Sequence, residues 1–395
     1  MKYTSKFFLL LLVFFALWAE SDSKKAESKL FVRVLLEEKE CANKPLWEIN
    51  SEDKMLVIDL ENPSRKLISQ QLHVNAEEDI NILEADKVML DKLHMIRIIP
   101  RDGYVCINGI WYQGSLNICL EDKRVLLINS LDLEDYIFSV IKSEGWPGWP
   151  VEVNKVFAIA SRSYVIAKVL EAQQQGKKYH IKNTNAHQRY NGYHDTMEIR
   201  TAVNETRDIF LAFDGQPILA MFDICCGGVI PAKKKGVNFN HAPYLARTYA
   251  CTYCKPFKVF NWSATYPLEE IEQLFKPHVP ELKNLKEIKV TKKDDAGLVT
   301  EVLLKASSGY HYVRGKKVYS TLKKVRSLCF SVERKKSKSI ELKGRGFGHH
   351  MGLCQWGTRR MVQEGWPADR ILKFFYPGTT FMRLTAPQTQ EQTYA

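Results

Sequence analysis

Residues 132–150 read DLEDYIFSVIKSEGWPGWP, and residues 151–172 read VEVNKVFAIASRSYVIAKVLEA. In the first segment Ile137, Val140, Ile141 and Glu144 fall at i, i+3, i+4 and i+7, one stripe of a helix. Asp132 is placed to cap that helix. Gly145 and the prolines at 147 and 150 break the pattern, and Pro150 suits the start of a second helix. There Val153, Val156, Phe157, Ala160 and Tyr164 make the apolar stripe, and Arg162 lies off it, as an exposed arginine would. Two helices are therefore predicted from Asp132 to about Gln174.

Outward from this pair, residues 29–130 read mostly as strands, such as LFVRVLLEE, KMLVIDLE and RVLLINSL, separated by turns at Asn62-Pro63 and Arg101-Asp102-Gly103. Residues 200–330 mix strands with one helix near Leu268–Phe275. Glu333–Lys338 reads as a charged turn. Met351–Phe375 reads as a helix stopped by Pro377-Gly378, and the tail, 383–395, is polar. No repeat of 20–50 residues is visible. The fold class expected is α+β: a strand-rich N-terminal part, a central two-helix segment and a mixed C-terminal part, packed as one body. The boundaries are 29–130 for the first part and 131–382 for the rest.

The chain has 395 residues, ample for a buried core, and 45% apolar with 26% charged residues is globular composition. Lys and Arg exceed Asp and Glu by 12, which suits an anionic partner. Residues 1–21 carry Lys2 and Lys6, then the apolar run FFLLLLVFFALWA, then Glu20 and Ser21. This is the pattern of an export signal, cleaved or kept as a membrane anchor. It is short for a bilayer span of about 20 residues. The body is expected outside the cytoplasm, in the periplasm or cell envelope. Export makes an anionic polymer of the envelope a better partner than nucleic acid, which is not expected.

A glutamate on an apolar stripe has its charged form disfavoured, so Glu144 is a candidate proton donor near neutral pH. Trp146 and Trp149 follow it, and indole faces suit a sugar. Periodicity alone favours the plainer reading, an exposed residue at a helix end or an ion-pair partner. The tetrapeptide recurs as Glu364-Gly365-Trp366-Pro367, so it is no catalytic signature by itself.

Three blocks carry a specific resemblance: residues 108–114 (NGIWYQG), then LLINSLDLEDYIFSVIKSE with VFAIASRSYVIAK, and then residues 344–379, GRGFGHHMGLCQWGTRRMVQEGWPADRILKFFYPGT. Across roughly residues 101–382 the chain resembles the stage II sporulation protein D family. That resemblance implies an extracytoplasmic lytic transglycosylase. Such enzymes cut glycan strands of peptidoglycan, preferring strands stripped of stem peptides by an amidase. Related members are amidase enhancers. The family's catalytic glutamate, in its E-M-P motif, matches Glu144, with Gly145-Trp146 in place of Met. Its A-R-T-Y arginine and tyrosine match Arg162 and Tyr164. Its glycine-rich block matches Gly344, Arg345, Gly346, Gly348, His349, Gly352 and Gln355, and its Y-P-G end matches Tyr376. The glycine after the family's histidine is His350 here, at a backbone position suited to positive φ.

The implied chemistry needs one carboxylate. Ordinary glycosidases use two, whereas here the C6 hydroxyl of the muramic sugar attacks its own C1. Glu144 would serve as acid and then base. Arg162, Tyr164, Trp146, Arg345, His349, Gln355 and Tyr376 would line the substrate cleft, with Arg162 near the lactyl carboxylate. His349 equally suits a hydrogen-bonded histidine in a glycine turn. No cofactor is required.

Cys225-Cys226 and Cys251-x-x-Cys254 lie about 25 residues apart. A structural zinc on this group and disulfides within it both stay open, with Cys226, Cys251 and Cys254 the candidate ligands. Cys41, Cys106, Cys119, Cys329 and Cys354 show no pair spacing. Some family members bind zinc just after the second helix. Residues 186–190 read AHQRY there, without the cysteines, and His180, His187 and His194 read as loop histidines. Two functions follow from the resemblance. One is a lytic transglycosylase of wall remodelling, division or sporulation. The other is a glycan-binding protein, without turnover, that recruits or stimulates a cell-wall amidase.

Overall fold

The computed structural model describes residues 30–385 apart from 147, 185, 186, 336 and 337. The export signal and most of the polar tail lie outside the described residues. Among those described, no helix is long and apolar enough to cross a membrane.

The N-terminal strands form one large sheet. Its order runs 181–182, 31–40, 124–132, 115–121, 95–100, 46–59, 66–76, 80–84 and 87–93, and the hairpin 104–113 hangs from 46–59. All pairings are antiparallel except that of 31–40 with 181–182. Period-two burial is visible along Leu46–Asp59, where Trp47, Ile49, Met55 and Val57 are buried. Arg124–Asp132 differs: Val125 to Asn129 are all buried, because helices cover one face and Leu35 with Cys119 packs on the other. Its continuous apolar run is the sequence mark of a strand buried on both sides.

That strand feeds directly into helix α1 (Leu133–Glu144), where the Asp132 side chain accepts from the Glu134 backbone N–H. Helix α2 (Val151–Gln174) follows with Pro150 at its N-cap. Both helices form as expected. The amphipathic reading of α2 does not survive. It is the central helix, packed against α1, α3 (Met197–Glu205), the strand Ile209–Phe213 and two C-terminal helices. Arg162 is accordingly fully buried. Its guanidinium grips Glu134 at 2.9 and 2.6 Å and donates to the Ile209 carbonyl at 2.9 Å, while Glu134 also accepts from the Asp208 N–H at 3.2 Å.

Residues 262–342 build a second apolar core from two three-stranded sheets, α4 (Leu268–Phe275) and α5 (Gly315–Thr321). Of these helices only α4 was expected. Glu333–Lys335 belongs to the strand Phe330–Lys335, paired with Ser339–Arg345, rather than to a turn. Alternating burial is weak there, so the charges masked the strand. Met351–Phe375 is two helices, α6 (Gln355–Gln363) and α7 (Ala368–Phe375). Gly365 and Pro367 separate them. The α+β class holds.

Truncating one partner of the buried pair leaves a charge in the core without its counter-ion, so Glu134→Ala is expected to cost about 3–5 kcal/mol in urea unfolding. Glu134→Leu with Arg162→Met is expected to recover most of that loss, since neither charge then remains buried.

Candidate active site

Glu144 is the last residue of α1 and half-buried. Its Oε1 accepts the Arg189 backbone N–H at 2.5 Å, and its carbonyl accepts from Gln355 Nε2 at 3.0 Å. Burial pushes its carboxyl pKa up, against the opposing pull of the Arg189 N–H. Its place at the negative end of α1 works the same way as burial.

Residues 187–190 are fixed from beneath. Gln188 accepts from the Tyr136 hydroxyl at 3.0 Å, and the Tyr190 hydroxyl donates to Asn129 Oδ1 at 2.7 Å. Both residues are buried, and the Arg189 side chain is left exposed along the cleft. The block that the sequence reading searched for metal ligands is thus the mount for a cation and for a hydrogen bond to Glu144. His187 accepts from the Lys182 N–H at 3.0 Å, and His194 stacks on Phe138 at 4.0 Å. The His180 ring lies 3.1 Å from the Arg33 backbone nitrogen on one side and 3.1 Å from Arg33 Nε on the other, and burial holds its pKa down at about 4. His180 ties its loop to the strand Phe31–Glu40 and His194 ties its own to α1, while His187 bonds within its loop.

The opposite wall is the glycine-rich segment wrapped around Asp223. Phe222-Asp223 pairs in parallel with Leu353-Cys354. The buried Asp223 carboxylate accepts the N–H groups of His349 at 2.7 Å, of His350 and of Met351 at 3.2 Å. His349 Nδ1 stands 3.2 Å from the same carboxylate. Gly348 has φ +129°, and a Cβ there would sit 2.1 Å from Asp223 Oδ1, so the loop closes only over glycine. His350 holds φ +62°, the left-handed backbone expected of it, and its Nδ1 lies 2.9 Å from the Cys226 carbonyl.

Between these walls lies a cleft of about 660 Å³. It is lined by Glu144, Trp146, Tyr164, His349 and Gln355 from the expected set, and also by Arg189, Asp223 and Tyr319, which the sequence reading missed. Trp146 is 42% exposed and meets Trp356 edge-on at 5.5 Å. Gln355 is buried, and among the described residues its Oε1 has no hydrogen-bond partner. Burial raises the Tyr164 phenol pKa to about 12, keeping it a neutral donor. A larger cavity of about 950 Å³ is lined by Glu40, Lys44, His94 and Arg124. It sits at the opposite end of strand Arg124–Asp132 from α1 and holds none of the motif residues.

Three expected cleft residues lie elsewhere. Arg162 is committed to Glu134, because a charge in the middle of α2 has no route to solvent. Tyr376 is buried, and its hydroxyl donates to the Met221 carbonyl at 2.8 Å, bracing the strand that carries Asp223. Arg345 is exposed but points to Cys329 Sγ at 3.2 Å.

None of the nine cysteines, all among the described residues, is paired in a disulfide, so the disulfide reading is not realised. Cys226, Cys251, Cys254 and Cys354 are buried with their sulfurs within 4.8 Å of one another, a set that could hold a metal. Cys354, which had no pair spacing, completes the group in place of Cys225. A long sequence separation hid it.

Residues 121–213, which span α1, α2 and α3, match the profile of the Stage II sporulation protein family, and residues 248–352 match a domain of unknown function (DUF8618). An uncharacterized protein of Brachyspira hyodysenteriae is 28% identical over 281 residues, covering 70% of this chain and 74% of that protein. Stage II sporulation protein D of Bacillus subtilis is 25% identical over 272 residues, 64% of this chain and 75% of that one. The amidase enhancer of Bacillus subtilis is 24% identical over 290 residues, 61% of this chain but only 39% of its own length. The chain carries a stage II sporulation protein domain and is a distant homologue of stage II sporulation protein D and amidase enhancer.

Asp223→Ala leaves buried N–H groups of the glycine loop without an acceptor, each costing about 1–3 kcal/mol. The expected result is a lower unfolding midpoint together with fast hydrogen exchange at residues 348–351, while the amides of α2 stay protected.

Proposed function

We propose that this chain is an extracytoplasmic peptidoglycan lytic transglycosylase, with Glu144 as its acid and base. The observation that carries the reading is the contrast between the two carboxylates of the cleft. Glu144 accepts one backbone N–H, and burial raises its proton affinity. Asp223 is saturated by the backbone of the glycine loop. A hydrolase of the ordinary kind needs a second carboxylate free to act as nucleophile or water-activating base. Asp223 has its oxygens turned into the loop, so a mechanism with one carboxylate fits better.

In that mechanism Glu144 gives its proton to the glycosidic O4 as the bond from C1 of N-acetylmuramic acid breaks. The resulting carboxylate then takes the proton of the C6 hydroxyl while O6 bonds to C1. No water is consumed, Glu144 ends protonated, and the product carries a 1,6-anhydro end. No cofactor enters the reaction. Trp146 offers an exposed face to a sugar ring, and Gln355 in the cleft wall holds the Glu144 carbonyl. The lactyl carboxylate of muramic acid falls to Arg189, since Arg162 is occupied. The substrate is a glycan strand stripped by an upstream amidase. The process proposed is wall remodelling, division or sporulation, and a relative's name carries the last of these.

Mass spectrometry of amidase-treated glycan strands incubated with the chain is expected to show anhydro-muramic ends, and Glu144→Gln to abolish them while glycan binding persists. Reducing ends would instead mean a hydrolase. Binding without cleavage by the wild type would leave the amidase-stimulating alternative.

The pH dependence has a definite sign. The active form of Glu144 in the first step is the protonated one, and its folded pKa lies above the usual carboxyl value. The rate is therefore expected to fall as pH rises through that raised pKa. A profile of kcat/KM on a fixed glycan checks this, and an alkaline limb at the ordinary carboxylate pKa would contradict it.

A further inference from the structure

We propose that Cys226, Cys251, Cys254 and Cys354 bind one structural zinc ion that fastens the second lobe to the domain carrying Glu144. This goes beyond the catalytic reading and does not depend on it.

The first ground is convergence. Buried cysteines commonly act as small apolar side chains, each packed where it falls. Here four from three separated stretches of chain turn their sulfurs to a single point, all within 4.8 Å of one another. Tetrahedral zinc with Zn–S bonds of about 2.3 Å requires sulfur–sulfur edges of about 3.8 Å. The Cys226 and Cys254 sulfurs stand 3.7 Å apart. Four sulfurs in a tetrahedron select zinc or an iron–sulfur centre, and the closed, four-cysteine set is the ligand pattern of structural zinc.

The second ground is the shell around the sulfurs. Cys354 Sγ accepts the backbone N–H groups of Cys226 and Gly357, each at 3.3 Å. It caps α6, so the positive end of that helix faces the sulfur. Such donors are what a metal-bound thiolate collects around it. Gly357 is required by space: a Cβ there would lie 2.9 Å from Cys251 Sγ and 3.2 Å from Cys354 Sγ. The backbone has been drawn in until only glycine fits beside two sulfurs. Cys225, next in sequence to Cys226, touches Cys254 and Cys354 but is not one of the four sulfurs that are all mutually close.

The position gives the site its purpose. Cys251 and Cys254 come just before the second lobe, residues 262–342, and Cys354 comes just after it. An ion bound to all three would staple the two ends of that excursion, and through Cys226 it would join them to the segment bearing Asp223. Gln355, which holds the Glu144 carbonyl, follows Cys354 directly. Zinc binding displaces the thiol protons, so the site is expected to lose metal on acidification.

Elemental analysis of the purified full chain tests this. One zinc per chain is expected, held through gel filtration and released stoichiometrically when the thiols are modified with a mercurial. Cys354→Ser is expected to lose the metal and Cys225→Ser to keep it. If Cys354→Ser does not fold, the wild-type chain reconstituted with cobalt decides, because four thiolates in a tetrahedron give intense visible d–d bands. Chelation of the zinc is expected to lower the thermal midpoint and its return to restore it. Nine freely titrating thiols without metal, disulfides within the group, iron in place of zinc, or zinc retained in folded Cys354→Ser would each overturn the assignment. None of these readouts involves glycan cleavage, so the catalytic reading stands or falls separately.

Discussion

The Arg162–Glu134 ion pair is the constraint on which the rest of the structure depends. It joins the middle of α2 to the first turn of α1, and through the Ile209 carbonyl and the Asp208 N–H it takes in the next strand as well. Both charges are out of water, so the pair is stable only while all its hydrogen bonds are made together. That fixes the position of α1 against α2. The far end of α1 is Glu144, and a carboxyl group acts as an acid only where its helix places it.

The cleft is then a matter of unequal treatment of two carboxylates. Asp223 is enclosed by successive backbone N–H groups and becomes architecture. Glu144 is half-buried at a helix C-terminus with one N–H for company and keeps its affinity for a proton. The same residue chemistry yields a loop anchor on one wall and a proton donor on the other because the surrounding hydrogen bonds differ. Trp146 and Arg189 add one aromatic face and one cation to the cleft. These are groups that suit a sugar bearing an acid.

Much of this was legible in the residues. The period-two strands, the Asp132 cap and the break at Gly145 to Pro150 follow from local rules, and they hold. Glu144 stood out because it completes an apolar stripe. Arg162 misled for the opposite reason: it interrupts a stripe, and the expectation of an exposed arginine assumes that a helix has a wet side. Around Arg162 helix α2 has none, since Val156 to Ser163 are all buried beneath the elements packed on it. Arg189 and Asp223 carry no local mark. One is defined by a backbone N–H that meets Glu144 from 45 positions away, and the other by a loop that returns 126 positions later. Cys354 was discounted on spacing, and its partners lie across the whole second lobe.

What the sequence determined by itself were the quantities that depend on neighbours in the chain: helix and strand periodicity, caps, breaks, the basic balance and the α+β class. It also marked Glu144 as unusual. Only the tertiary structure decided which charged groups are free. A carboxylate, a guanidinium or a thiol has its role set by what surrounds it in three dimensions. Those surroundings are assembled from segments whose separation along the chain leaves no periodic trace. Hence Arg162 became a core brace and Arg189 a cleft cation, and four thiols from three separated stretches came to share one point.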